Sequence, residues 1–143
     1  MGSRSATELL LLPVQLNGIR LGRPVDLLLD PVDWRALGFV ALCGDDVERF
    51  LVFAGCDLHE DEIAVPSAFL LLEDVGFYRG RSRSLRALRD QAVMREGREL
   101  GELADLLLRP DGIVEALVVD EGEALHEVEP ACTMIEPEHV STA

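Results

Sequence analysis

The sequence has no lysine: its 13 basic residues are all arginine, and they face 27 aspartates and glutamates for a formal net charge of −14. We read the missing lysine as a trace of GC-rich coding and attach no function to it. The charge balance sets nucleic acid and anionic lipid aside as default partners, because binding phosphates needs clustered positive charge that releases counterions. Cysteine is scarce and odd in number. Cys43, Cys56 and Cys132 show no CxxC spacing and no neighbouring His pair, which argues against a disulfide framework and against a zinc site. Each reads as a small buried hydrophobe. Long apolar runs are missing too: Leu9 to Val14 falls far short of the roughly 18 to 20 residues that span a bilayer. Met1 to Ala6 precedes no signal core of adequate length. No membrane insertion is expected, and the expected compartment is the cytoplasm.

Catalytic signatures are also absent. His126 and His139 have no Cys or His at ligand spacing, and no Ser or Cys sits in a nucleophile-elbow context. No enzyme activity, catalytic residue, metal or cofactor is expected. What is present is 48% hydrophobic residues with only seven aromatics, a globular composition. A length of 143 residues admits one ordinary domain or two very small ones.

An internal repeat decides between them. Val14-Gln15-Leu16-Asn17-Gly18-Ile19-Arg20-Leu21-Gly22 aligns without gaps on Val93-Met94-Arg95-Glu96-Gly97-Arg98-Glu99-Leu100-Gly101. The register holds into Asp26-Leu27-Leu28-Leu29-Asp30-Pro31 against Asp105-Leu106-Leu107-Leu108-Arg109-Pro110, at a constant offset of 79. Beyond the prolines the first copy reads as two residues longer, so that Leu37 to Leu42 match Val114 to Val119. It then carries an excursion from Asp45 to Glu62, after which Pro66-Ser67-Ala68 align loosely on Pro130-Ala131-Cys132.

Both copies read as strands joined by tight turns. Asn17-Gly18 between apolar flanks is a strong hairpin signal, since a two-residue turn of the primed type needs two positive φ angles; Glu96-Gly97 is its weaker counterpart. The Leu-Leu-Leu runs, each ended by a proline, have strand length and are expected to be the most buried. Asp111-Gly112 turns the chain into Ile113 to Val119, and Asp120-Glu121-Gly122 opens another hairpin. No stretch keeps a 3.6-residue period with caps, beyond a helical turn around Leu85 and Leu88.

Val93 to Gly101, Asp105 to Leu108 and Asp111 to Val119 together resemble the PRC-barrel family. The shared pattern is a strand, a Gly turn, a Leu-Gly pair, an Asp-plus-aliphatic strand, an Asp-Gly turn and a last aliphatic strand. Copy one follows it through Gly18, Leu21-Gly22 and Asp26 to Leu29, and departs where Val32-Asp33-Trp34-Arg35 replaces the Gly turn. The resemblance implies an all-β fold of two tandem six-stranded barrels with little helix. It further implies a bacterial adaptor that docks on other macromolecules and has no shared catalytic residues to transfer. The expected layout is a first repeat over 7–76, an Arg-rich linker over 77–84, a trimmed second repeat over 85–137 and a tail over 138–143.

Units of about 60 residues bury too little surface to be robust alone, so the two are expected to pack together or the chain to dimerise. Tyr78 to Arg89 contains Arg79, Arg81, Arg83, Arg86 and Arg89 and no acid, a local charge of +5, whereas Asp90 to Ala143 sums to −11. The stripe reads either as a surface docking an acidic tail or phosphate-bearing ligand, or as a solvated linker neutralising the acidic barrel beside it. Trp34, the only tryptophan, reads either as a barrel cap or as an exposed anchor for a partner. Asp26 and Asp105 precede equivalent strands and read as structural carboxylates held by backbone N–H groups. His59 to Glu62, with Asp57, lacks the spaced ligands of a calcium loop and reads as a solvated hairpin tip. The expected function is a non-catalytic adaptor with a protein partner; a ribosome-maturation or RNA-processing accessory and a small-molecule or metal-sensing barrel are the rivals.

Overall fold

The computed structural model describes residues 2–30, 32–131 and 133–135. Strands account for 52% and helices for 14% of the described residues, so the fold is mostly β. Arg4–Ser5 (β1) and Ala6–Leu9 (α1) precede the hairpin of Val14–Leu16 (β2) and Ile19–Asp30 (β3). Arg35–Cys43 (β4) and Glu48–Val52 (β5) follow, then the short strands Asp57–Leu58 (β6), Ile63–Ala64 (β7) and Leu71–Leu72 (β8) and the helix Val75–Arg79 (α2). The second half opens on Arg83–Ser84 (β9) and Leu85–Leu88 (α3). It continues with Ala92–Arg95 (β10), Arg98–Leu108 (β11), Val114–Asp120 (β12), Leu125–Val128 (β13) and Thr133–Ile135 (β14).

The repeat survives at the level of single hydrogen-bonded pairs. Both hairpin turns place two residues at positive φ, Asn17 at 52° and Gly18 at 82°, Glu96 at 52° and Gly97 at 80°. That is the geometry whose twist matches the flanking strands. Irregularities recur at equivalent places: between Val14 and Gln15 and between Val93 and Met94, then between Pro24 and Asp26 and between Leu103 and Asp105. The alignment after the prolines needs correction. Asp26 faces Val40 and Leu27 faces Phe39, as Asp105 faces Val118 and Leu106 faces Leu117, so the first copy is longer by one residue and not two. A one-residue slip would turn every side chain to the other face. Only the corrected register sets Ala36, Phe39 and Ala41 against Val114, Leu117 and Val119, all of them core residues.

The loose match of Pro66 with Pro130 fails for a topological reason. Ile63 pairs with Val14 in a parallel strand that precedes Pro66, while Ile135 pairs with Val93 in an antiparallel strand that follows Pro130. The copies therefore fill the same flank by unrelated routes. Pro31, Cys132, His139 and the expected tail over 138–143 lie outside the described residues.

The first sheet runs β6-β7-β2-β3-β4-β5-β8 with β9 also on β3, and the second runs β13-β12-β11-β10-β14 with β1 also on β11. Neither sheet is closed among the described residues. Two tandem barrels would each close around an interior of their own; instead Leu27, Leu29, Phe39 and Leu51 of the first half share one core with Leu103, Leu106, Leu108 and Leu117 of the second. Marginal burial in a unit of this size explains why the halves merge.

Residues 77–84 are not a linker. α2 lies on the outer face of the first sheet, where Val75 and Tyr78 cover Leu28, Val40 and Phe50, with the Phe50 and Tyr78 rings stacked at 4.0 Å. β9 pairs with the end of β3, Leu28 opposite Ser84 and Leu29 opposite Arg83. In mirror fashion β1 pairs with the end of β11, Arg4 opposite Leu108 and Ser5 opposite Leu107. Each half thus sends its leading segment onto the other half, and the boundaries expected at residues 7 and 85 cut through packed units. Among the described residues of the second half no helix covers the equivalent face, and Leu107 is half-buried where Leu28 is buried.

Candidate functional site

The exchange is organised by the two aspartates. Asp26, 4% exposed, sits in the stretch of β3 between its pairing with β2 and its pairing with β9. Its Oδ1 accepts from the backbone N–H of Leu27 at 2.8 Å and of Arg86 at 3.2 Å; its Oδ2 accepts from the Ser84 hydroxyl and lies 3.7 Å from the Arg79 guanidinium. The same Ser84 oxygen accepts the Ala87 N–H and caps α3. Asp105 repeats the arrangement. It accepts from the N–H of Leu106 at 2.7 Å and of Thr7 at 3.0 Å, from the Ser5 hydroxyl and from the Thr7 hydroxyl, while Ser5 caps α1 through the Glu8 N–H. Asp26 accepts three hydrogen bonds and Asp105 four, and each carboxylate thereby staples the leading segment of one half to a strand of the other.

The contacts between the two turns are reciprocal, as the two staples are. Arg35 pairs with Ile113, its own counterpart in the corrected register. The Ala36 N–H donates to the Gly112 carbonyl at 2.7 Å, and the Val114 N–H donates to the Trp34 carbonyl at 2.9 Å. Trp34 takes φ 50° where Gly112 takes 91°, so the segment that breaks the sequence repeat keeps its backbone path. The Trp34 side chain is 8% exposed and packs within the shared core. An anchor for a partner would have to project from the surface; this side chain instead caps the interior at the seam.

The arginine stripe is largely engaged within the molecule. Arg79 bridges Asp26 and Glu48, Arg81 stacks 3.7 Å above the Phe77 ring, Arg83 donates to the Ile135 carbonyl and Arg86 donates to the Val25 carbonyl. Arg89 is exposed at the end of α3. Substituting all five together would perturb the seam as well as any surface. The acidic excursion forms the tip of the β6–β7 hairpin, closed by a bond from the His59 N–H to the Glu62 carbonyl, with Glu60 and Asp61 exposed. Among the described residues, no group of three His, Cys, Asp or Glu side chains is placed to hold a metal. No helix among them is long and apolar enough to cross a membrane.

Two open clefts occupy equivalent positions at the far ends of the long hairpins. The first, about 410 Å³, is bordered by Arg20, Leu21, Gly22, Arg23, Leu42 and Cys43, with Asp46 on one wall. The second, about 310 Å³, is bordered by Glu99, Gly101, Glu102, Asp120 and Glu121. Gly22 and Gly101 form equivalent floors. A Cβ at Gly22 would run into the Leu42 carbonyl, and one at Gly101 would lie 2.5 Å from Val119 Cγ1 and 2.6 Å from the Asp120 carbonyl. The frame is copied and the charge is inverted: Arg20 and Arg23 stand where Glu99 and Glu102 stand in the other half. The repeat alignment already contained this inversion, but only the fold makes these residues rims of one kind of concavity.

Cys43 is buried, and Cys56 is held against the Val52 carbonyl at 3.3 Å, with burial pushing its thiol up to about 12 and the Asp57 carboxylate adding to the effect. An unfolded cysteine ionises near 8.5. Cys56 therefore contributes stability that is present below that pH and is lost as pH rises toward 12, the window in which only the unfolded state gives up its proton. Melting temperatures taken between pH 7 and pH 10.5 should fall at the alkaline end, and Cys56→Ala should flatten that limb. Native alkylation of Cys56 by iodoacetamide at the rate of a free thiol would contradict this account.

No protein-family profile matches the sequence, and the search of curated proteins returned no match.

Proposed function

We propose that this chain is a non-catalytic docking protein, a tandem PRC-barrel-like adaptor whose two halves present differently charged clefts to different segments of its partners. The observation that carries this reading is the inverted charge of the two clefts on a duplicated frame. Residues that hold the fold are alike in both copies: the Asp–Ser staples, the primed turns and the close-packed pair Gly22 and Gly101. Rim residues that the fold does not require have diverged to opposite sign, which is how two recognition surfaces of different specificity arise from one scaffold. The strongly negative net charge makes a protein partner a better fit than RNA.

The test compares the intact chain with R20E/R23E and with E99K/E102K as bait in the native host's extract, followed by purified reconstitution of each recovered pair. The two variants should lose different partners, because they alter different clefts. Identical recovery by all three baits, no greater than by a blank resin, would remove the docking role. A salt-sensitive RNA complex in a filter-binding assay would replace it with the RNA-accessory role.

A further inference from the structure

The first cleft does not end at its arginines. Leu21, Cys43 and Gly44 also border an adjoining open cleft of about 450 Å³ that runs on to Phe69 and Leu71. Phe69 is 91% exposed, in a chain that has only seven aromatic side chains. Its backbone is held: the turn Ala68–Leu70 is capped by Ser67, whose hydroxyl accepts the Phe69 N–H at 3.1 Å. A solvent-facing aromatic on a capped turn beside a concavity is the arrangement from which interface hot spots are built, because burying it on binding removes a large apolar area from water.

Charge narrows the ligand. Arg20 and Arg23 are exposed, and neither makes an ion pair with a described residue. Arg49, also on the rim of the adjoining cleft, is already neutralised by a two-pronged contact with Asp45 at 2.8 and 2.9 Å. That contact holds the Asp45 carboxyl down at about 2. The positive charge left for a ligand is therefore that of Arg20 and Arg23. Asp46 on the cleft wall and Glu73 on its extension disfavour a polyphosphate, whose charges would have to pass them, whereas isolated carboxylates can pair with the two arginines alone.

Building on the docking role above, we propose that the joined cleft of the first half is a groove for a short acidic segment of a protein partner, with carboxylates paired to Arg20 and Arg23 and one bulky apolar side chain packed against Phe69 and Leu71. The specificity is two-part: charge at one end sets which segments approach, and the aromatic at the other end holds them.

Fluorescence anisotropy with defined peptides tests it on the full chain. The probes are labelled octapeptides carrying two or three Asp or Glu residues and one Leu or Phe in all orders. One matched set replaces the acids by Lys and another replaces the apolar residue by Ala, and an RNA octamer serves as the alternative polyanion. Binding should be confined to the acidic, apolar-bearing set. R20E/R23E and Phe69→Ala should each weaken it by ~10-fold or more, while E99K/E102K leaves it unchanged. R20E/R23E should in turn gain affinity for the Lys set. All these side chains are exposed, so melting temperatures should stay within a few degrees and separate lost binding from lost folding. Acidic peptides that do not bind, bind equally to R20E/R23E, or bind less well than the RNA octamer would overturn the proposal. The docking role itself falls only if the purified partners of the preceding test also fail, so the two failures are distinguishable.

Discussion

Deleting residues 2–9 should unfold the second half of this protein, although none of those residues belongs to it in sequence. The deletion removes Ala6 and Leu9, both fully buried in the shared core, strips β11 of its pairing with β1, and leaves Asp105 without Ser5 and Thr7. Losing one buried leucine side chain alone costs about 3 to 5 kcal/mol. Adding the orphaned carboxylate and strand end brings the loss to a large share of the roughly 5 to 15 kcal/mol that a domain has in total. A truncated chain should show depressed ellipticity and no cooperative melt, and a synthetic peptide spanning residues 2–12 should restore part of the transition. A truncated protein that melts cooperatively within a few degrees of the parent would show that the exchanged segment is an ornament and that the second half holds itself together. The equivalent point substitution at the other staple, Leu88→Ala, should act on the first half, because Leu88 is fully buried through the same exchange.

Asp26→Ala should cost about 3 kcal/mol in urea unfolding, more than Asp105→Ala at about 2 kcal/mol. Removing the Asp26 carboxylate leaves the N–H groups of Leu27 and Arg86 and the Ser84 hydroxyl without their acceptor, and leaves Arg79 with only the exposed Glu48. Buried donors that lose their acceptor are penalised by their full desolvation, not merely by the lost bond. Asp105 is half-buried, so water can replace part of what it supplies. A double-mutant cycle between Asp26 and Ser84 should show strong coupling, whereas Asp26 and Ser5, on opposite staples, should be additive. Equal and small losses for the two alanine variants, below about 1 kcal/mol, would mean the staples are solvated and that apolar packing alone joins the halves.

Several features were legible before any fold was known, because they depend on residues close together in the chain. Asn17-Gly18 and Glu96-Gly97 specify primed turns through φ angles that few other residue pairs adopt cheaply, and both turns form as the sequence requires. Leu27 to Leu29 and Leu106 to Leu108 announce buried strands by composition alone. The constant offset of 79 that sets Val14 on Val93 and Asp26 on Asp105 is realised pair by pair. One longer-range signal was also present: Arg4-Ser5 and Arg83-Ser84 are separated by the same 79 residues, each followed four positions after the serine by a leucine. That spacing extends the repeat upstream of its apparent start.

The amino-acid sequence by itself determined a duplicated, mostly β chain with its turns, its aliphatic strands and its paired aspartates in place, since period, turn chemistry and burial preference are local properties. Tertiary structure alone decided that the leading segments change sides, that one core serves both copies, that Trp34 faces inward, and that Arg20 and Arg23 rim one cleft as Glu99 and Glu102 rim its counterpart. The physical reason is that units this small cannot bury enough apolar surface separately. Which surface covers which is then settled by a competition among distant contacts, to which neighbouring residues give no clue.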